Sequence, residues 1–149
     1  MQKLKFILPS AEMKPAFEAF KRAFAERGEK VKAGMINPNI TDFPEWLESL
    51  RRDKSTTWFV FRQPDNKLVG IVNIRNTLNA DGHITCSIRP DERGSGYGTE
   101  TLRLALDRAR ELGVVEAEIL CPPGNAAARR IIRRNGLEKT DNNIYRKIL

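Results

Sequence analysis

Residues Gly82 to Leu112, GHITCSIRPDERGSGYGTETLRLALDRAREL, decide how this chain folds. The alternation of apolar and polar side chains over His83–Ile88 predicts a strand with two unlike faces. Pro90 has no N–H group and ends the strand. Apolar residues at helical spacing then predict a helix over Gly96–Leu112, which ends at Gly113. The stretch therefore reads as strand, turn and helix.

Three glycines occupy the turn Arg93-Gly94-Ser95-Gly96-Tyr97-Gly98. Glycine allows backbone conformations and close approaches that a side chain would block. Because the turn leads into a helix, several N–H groups stay unpaired beside the positive end of the helix dipole, as in sites for phosphate or pyrophosphate. A turn with no ligand is the alternative. The patterns GxxxxGKS/T and GxGxxG are both absent here, which argues against an ATPase and a dehydrogenase.

The turn resembles the acyl-CoA pyrophosphate loop of the GCN5-related N-acetyltransferases, Gln/Arg-x-x-Gly-x-Gly/Ala. Ile88-Arg89-Pro90 before it and Thr99-Glu100 after it resemble that family as well. A second matching segment is Cys121-Pro122-Pro123-Gly124-Asn125, followed by a predicted helix that closes at Asn135-Gly136-Leu137. The resemblance implies an α+β fold, with a mixed, mostly antiparallel sheet of about six to seven strands and about four helices on both faces.

This resemblance implies an acetyltransferase that moves an acetyl group from acetyl-CoA to a primary amine by direct attack in a ternary complex. Backbone groups near Ser87, Ile88 and Arg89 would pair with the pantetheine of coenzyme A. The N–H of Ile88 would hold the developing oxyanion. The cofactor contacts that the resemblance implies are Ser87, Ile88, Arg89, Arg93, Gly94, Ser95, Gly96, Tyr97, Gly98, Thr99, Asn125 and Arg129.

The chain departs from the family at two positions. Ile132 stands where many members have the tyrosine that protonates the departing thiolate, and Ala128 stands where a serine is frequent. Either the thiolate leaves unassisted or another group, such as Tyr145, serves as the acid. His83, Glu118 and an ordered water are the candidates for the base, since a base works best with a pKa near the working pH.

The rest of the chain predicts the elements that complete this fold. A strand is expected over Lys3–Leu8, followed by a helix that Ser10 caps and whose aromatic stripe ends before Gly28. The further expectations are a helix over Asp42–Arg52, a hairpin of Thr56–Phe61 with Leu68–Arg75, a turn at Thr77–Gly82, a strand at Val114–Leu120 parallel to His83–Ile88, a helix over Ala126–Asn135, and one or two strands within Leu137–Leu149. Acceptor choice is expected to rest on residues 29 to 55, where Glu45 and Trp46 are either substrate contacts or a surface and a packed residue.

The composition limits the partners. The 149 residues suit one domain over positions 1–149, and 26 Lys and Arg against 19 Asp and Glu give a net charge of +7. Such a charge attracts anions, which include coenzyme A and nucleic acid. Four arginines at positions 129, 130, 133 and 134 form either a solvated face, a clamp for the 3′-phosphate, or a nucleic-acid contact that lacks interleaved aromatics. Cys86 and Cys121 have the spacing of neither a metal site nor a redox pair, and they are expected to be buried apolar residues rather than reactive ones.

No apolar stretch approaches the roughly 20 residues needed to cross a bilayer, and no signal peptide is visible, so a cytoplasmic protein without membrane partners is the expectation. The predicted function is an N-acetyltransferase acting on a small-molecule or peptide amine, and a homodimer is among the expected assemblies. A non-catalytic acyl-CoA binding or sensing domain is the main alternative. A basic RNA-binding module is the less favoured one.

Overall fold

A seven-stranded sheet forms the centre of the computed structural model, which describes residues 3–32, 37–39, 41–79 and 82–149. The strands are β1 (Leu4–Ile7), β2 (Thr56–Arg62), β3 (Lys67–Asn79), β4 (Gly82–Ile88), β5 (Glu116–Leu120), β6 (Glu138–Lys139) and β7 (Ile144–Ile148). They lie side by side in the order β1-β2-β3-β4-β5-β7-β6, and each neighbouring pair is antiparallel.

Within the described residues, four α-helices accompany the sheet: α1 (Lys14–Ala25), α2 (Phe43–Arg52), α3 (Tyr97–Glu111) and α4 (Ala126–Arg134). Two of them begin at side-chain caps, as predicted. Asp42 accepts a hydrogen bond of 3.0 Å from the N–H of Glu45, and Asn125 accepts one of 3.1 Å from the N–H of Ala128. None of the helices in the described ranges is long and apolar enough to cross a membrane.

Helices pack on both faces of the sheet, and each face has its own core. Phe59 belongs to a cluster with the aromatic residues of α1 and α2, while its neighbour Val60 belongs to a cluster with the apolar residues of α3 and α4. Adjacent strand residues point to opposite faces, so the two helix pairs lie on opposite sides. Trp46 is fully buried and stacks on Phe17, with ring centroids 4.7 Å apart. It is a packed residue, and Glu45 is exposed.

Two predicted boundaries are wrong. Ser10 does not cap α1, because a short 3-10 turn over Ala11–Met13 intervenes and the backbone carbonyl of Ser10 accepts its hydrogen bond. β3 extends to Asn79, which pairs with Gly82 of β4, so β3 is longer and the turn at Thr77–Gly82 shorter than predicted. Part of the predicted turn, residues 80 and 81, lies outside the described residues.

The predicted parallel pairing of β5 with β4 is also wrong. The two strands share one paired position, Gly82 with Ile119, and that pair is antiparallel. The side chain of His83 replaces the next ladder bond, since its Nδ1 accepts the N–H of Glu118 at 3.0 Å. A Cβ at Gly82 would lie 2.1 Å from the backbone oxygen of Glu118, so the close contact requires glycine. From this point onward β4 has no ladder partner on its β5 side in the described chain.

Candidate active site

A gap therefore opens between β4 and β5, and backbone groups point into it. The N–H of Arg89 donates to the carbonyl of Val69 on β3 at 2.8 Å. In an antiparallel ladder, alternate residues direct their backbone groups to the same neighbouring strand. The N–H of Ser87 therefore also points toward β3, whereas the N–H groups of Cys86 and Ile88 point away from β3 into the gap. On β5, Cys121 bonds to the carbonyl of Asn143, which directs the N–H of Leu120 toward the gap by the same rule.

The gap belongs to a cavity of about 650 Å³ that reaches the beginning of α3 and one side of α4. Most of the predicted cofactor contacts line it, and these are Ser87, Ile88, Arg93, Gly94, Gly96, Tyr97, Gly98, Thr99 and Asn125. Arg89, Ser95 and Arg129 lie outside the lining. Arg89 instead pairs with Asp91 at 2.8 Å, and Arg129 donates to the carbonyl of Pro123 at 3.0 Å.

The glycine turn presents the open end of a helix to this cavity. Gly94 and Gly96 have φ values of +86° and +87°, in the left-handed region that favours glycine. Gly96 is the N-cap of α3 and provides no side-chain cap. The first backbone bond within the helix is 3.1 Å long and runs from the N–H of Glu100 to Gly96, so the N–H groups of Gly98 and Thr99 precede the ladder. This geometry suits an anion such as pyrophosphate.

Gly98 allows α4 to pack directly against this turn. A Cβ at Gly98 would lie 2.5 Å from Cδ1 of Ile131. The two helices are also tied by Asn135, whose amide donates to the carbonyls of Thr99 and Ile131 at 3.1 and 3.0 Å. The start of α3 is thus fixed relative to the helix that forms the neighbouring cavity wall.

Arg62, Lys67 and Glu92 form a charged network that we call the anchor. It fixes the turn through Glu92, which precedes the turn, and through contacts with Tyr97. Glu92 accepts hydrogen bonds from Arg62 and, at 2.9 Å, from Lys67. Arg62 also reaches the hydroxyl of Tyr97 at 3.4 Å, and its guanidinium carbon lies 5.6 Å from the centre of that ring. The Arg62 and Glu92 side chains are only 13% and 15% exposed, so water screens their interaction weakly.

The lowered pKa of Glu92 should make the free energy of unfolding depend on pH. Burial raises the pKa of this carboxyl, but the hydrogen bonds from Lys67 and Arg62 outweigh burial and hold the pKa below its usual value. A carboxyl with a lower pKa in the folded state stabilises the fold above its unfolded pKa, and this stabilisation is lost as the pH falls through the folded value. Between about pH 5 and about pH 3 we expect the Glu92→Gln variant to lose less unfolding free energy than the wild type.

Urea titrations of both proteins across this range would measure the difference. At neutral pH the variant should be less stable by about 1–3 kcal/mol, the usual contribution of hydrogen bonds to a charged group. Parallel pH profiles for the two proteins would show that Glu92 does not contribute to acid sensitivity.

A segment from the other side of the sheet, which we call the Glu29–Lys32 segment, forms one wall of the cavity. Both carboxylate oxygens of Glu29 accept from Arg93, at 3.1 and 2.9 Å, and this contact lowers the pKa of Glu29. The guanidinium carbon of Arg93 lies 5.7 Å from the centre of the Phe24 ring. The Ser87 hydroxyl donates to the carbonyl of Lys32 at 2.7 Å and accepts its N–H at 3.2 Å. No local sequence pattern indicates this wall, because its contacts join residues 55 and 64 positions apart.

The predicted catalytic residues do not all reach the cavity, although His83 and Glu118 are in contact. Only Ile88 lies in the cavity lining, and its N–H is directed into the gap. His83 is buried beside the gap; burial, with a contribution from Arg75, lowers its pKa against the opposing effect of Glu118. The carboxylate of Glu118 accepts from Arg146 at 2.6 Å, and Tyr145 is buried in the core. His83, Glu118 and Tyr145 are all outside the lining.

The two cysteines differ in their exposure to solvent. Cys121 is buried, as predicted, and burial raises the pKa of its thiol. The prediction that Cys86 is buried is wrong, because β5 diverges from β4 and leaves Cys86 exposed in the cavity wall. The described ranges contain no cluster of His, Cys, Asp and Glu that could hold a metal ion.

The four arginines of the last helix separate into two pairs. Arg130 and Arg134 line the cavity, whereas Arg129 and Arg133 do not. Ile132 is buried and lines the cavity together with Ala128, at the positions where the family pattern has Tyr and Ser. The cavity therefore has two cations on its α4 side and an apolar residue in place of the expected acid.

Known structures share this architecture. RimJ from Mycobacterium smegmatis in complex with CoA-disulfide is 16% identical, with a TM-score of 0.78 and coverage of 97% of this chain and 81% of that chain. The microcin C7 self-immunity acetyltransferase MccE, in complex with acetyl-CoA and AMP, is 14% identical, with a TM-score of 0.73 and coverage of 99% and 93%. The ribosomal-protein-S5-alanine acetyltransferase from Vibrio fischeri is 13% identical, with a TM-score of 0.72 and coverage of 99% and 94%. At these identities the likeness shows the fold.

Sequence comparison gives the family. No curated protein matches the chain. The family model described as the acetyltransferase (GNAT) domain matches residues 13–138. Because that match spans most of the sequence and agrees with the observed α+β fold, the chain belongs to the GNAT acetyltransferase family.

Proposed function

We propose that this protein is an N-acetyltransferase that transfers the acetyl group of acetyl-CoA directly to a primary amine. The observation that carries the proposal is the N–H of Ile88, which points into a gap that continues to the glycine turn. A donor at this place can stabilise negative charge on a thioester oxygen, and one such donor supplies about 3–4 kcal/mol. Holding both reactants in the cavity can supply about 7–11 kcal/mol more.

The residues present fit coenzyme A. The N–H groups of the turn and the first turn of α3 are placed to hold the pyrophosphate, and Gly94 leaves open space because a Cβ there would meet no atom within 4 Å. Arg93, which is paired with Glu29, lies beside them in the cavity lining. The N–H groups of Cys86 and Leu120 are available to the pantetheine amides. When bound, acetyl-CoA supplies a thioester that an amine can attack. Known structures with this fold hold CoA or acetyl-CoA, which supports the proposal.

Proton transfer does not need a dedicated side chain in this proposal. His83, Glu118 and Tyr145 lie outside the cavity lining, and Ile132 cannot donate a proton. We propose that water accepts the proton of the amine and that the thiolate leaves without an acid. The turnover then depends on the orientation of the reactants and on the Ile88 N–H, rather than on acid–base groups.

Calorimetric titration with acetyl-CoA at two salt concentrations, followed by a thiol-release assay with a panel of primary amines, tests this function. We expect saturable one-to-one binding and thiol release that depends on the amine. Binding without release on any amine would contradict transfer and favour an acyl-CoA sensor, the reading that Ile132 supports. The absence of binding would contradict the cofactor assignment.

A further inference from the structure

The cavity wall carries positively charged residues on two sides, and the phosphates of one bound cofactor would meet those on only one side. Its charged lining residues are Glu29, Lys30, Lys32, Arg93, Arg130 and Arg134. Glu29, the one carboxylate that the described residues contribute to this lining, is paired with Arg93. Arg93, Arg130 and Arg134 lie on the turn and on α4, where they can meet the phosphates of coenzyme A. Lys30 and Lys32 come from the opposite wall.

The position of Lys32 follows from its two hydrogen bonds with Ser87. Ser87 pairs with Ile71, which packs in the α1–α2 core, so its side chain lies on that face of the sheet. The next residue is Ile88, whose N–H marks the reacting carbonyl in the proposed function. Lys32 therefore lies beside the reacting end of the cavity, on the face away from α3 and α4.

Lys30 and Lys32 present their charges together. Val31 between them is buried, while both lysines are exposed and line the cavity. Because both side chains line the same cavity, their charges act on the same space. No carboxylate of the described ranges forms a salt bridge with either lysine. The pair is available to carboxylates of an incoming molecule.

We infer that the acceptor is an amine that carries carboxylates close to its amino group, as a peptide with Asp or Glu next to its N-terminus does. The inference rests on the proposed function and names its substrate class. The lysines attract and orient the acidic groups, so that the amine approaches the thioester from the α1–α2 face. An acceptor with positive charge at the same positions is repelled by both lysines.

Three peptides of one sequence, with Glu, Gln or Lys at their second and third positions, test the inference. For the wild type we expect kcat/KM to be about tenfold higher for the Glu peptide than for the Lys peptide, within reach of two partly exposed ion pairs. The double variant Lys30→Glu and Lys32→Glu should reverse this preference. Lys139→Glu, on β6 and outside the cavity lining, is a control that adds negative charge away from the cavity and should keep the wild-type preference.

A free dicarboxylic amino acid is a fourth acceptor, and it separates a small acidic amine from an acidic peptide as the source of the carboxylates. Preferential turnover of either acidic acceptor supports the inference. The inference is overturned if the three peptides are turned over equally and the dicarboxylic amino acid is not preferred over them. The proposed function stays intact in that case. No thiol release with any acceptor overturns the proposed function and the inference with it, and acetyl-CoA titration of the same samples separates this result from loss of folding.

Discussion

The free energy of unfolding of the Gly82→Ala variant is expected to be about 2–5 kcal/mol lower than that of the wild type. Gly82 has a φ of +86°, and a non-glycine residue in this region costs about 1–2 kcal/mol. The new Cβ would also lie 2.1 Å from the oxygen and 2.7 Å from the carbon of the Glu118 carbonyl. Since these are backbone atoms of the neighbouring strand, the clash moves β5 away from β4 and adds about 1–3 kcal/mol.

Gly113→Ala is the matched control for this variant. Gly113 has a similar φ of +94°, but a Cβ there would meet no atom within 4 Å. The control should therefore carry the conformational cost alone. Chemical denaturation of the three proteins gives both terms, because the difference between the variants isolates the clash. Equal losses in Gly82→Ala and Gly113→Ala would show that β5 can yield without cost at this position.

Acetyl-CoA binding should be lost in the Gly96→Trp variant, by at least about 100-fold in Kd if two to three charge-assisted hydrogen bonds to pyrophosphate disappear. Gly96 lines the cavity and caps α3 with its left-handed backbone. An indole at this position occupies space beside the N–H groups proposed to hold the phosphates, and the strained φ displaces those groups. Calorimetric titration with acetyl-CoA measures the loss.

Gly113→Trp tests whether the loss is local, since Gly113 follows the opposite end of the same helix and also has a positive φ. We expect it to bind acetyl-CoA as the wild type does. Wild-type affinity in Gly96→Trp would instead place the pyrophosphate elsewhere. RNA binding by both the wild type and Gly96→Trp, with no acetyl-CoA binding by the wild type, would favour the basic RNA-binding alternative, and that binding should weaken steeply with salt.

Local patterns predicted the elements that local physics controls. The strand, glycine turn and helix from Gly82 to Glu111 are where their periodicity places them, and Asp42 and Asn125 cap helices as their side chains predict. Ser10 does not cap α1, because a 3-10 turn forms there instead and uses the backbone carbonyl of the same residue. Hydrophobic periodicity does not distinguish these two helix starts.

The site was predictable on one wall only. The turn and α4 carry motifs, so their residues could be named from the sequence. The Glu29–Lys32 segment reaches the cavity through Ser87 and Arg93, and neither contact has a local pattern. The single paired position between β4 and β5 likewise depends on His83 filling a ladder position with its side chain, which the alternation of strand residues does not indicate.

The anchor behind the turn also determines when the turn loses its conformational freedom. Arg62 and Glu92 are nearly buried, and they hold Tyr97 and the turn through contacts made within the protein itself. Ordering a residue costs about 1–2 kcal/mol of backbone entropy. For this turn that cost falls on folding, so a phosphate that arrives later meets donors already in place. The affinity for the ligand is then reduced less by ordering than it would be in a turn that takes its shape only upon binding.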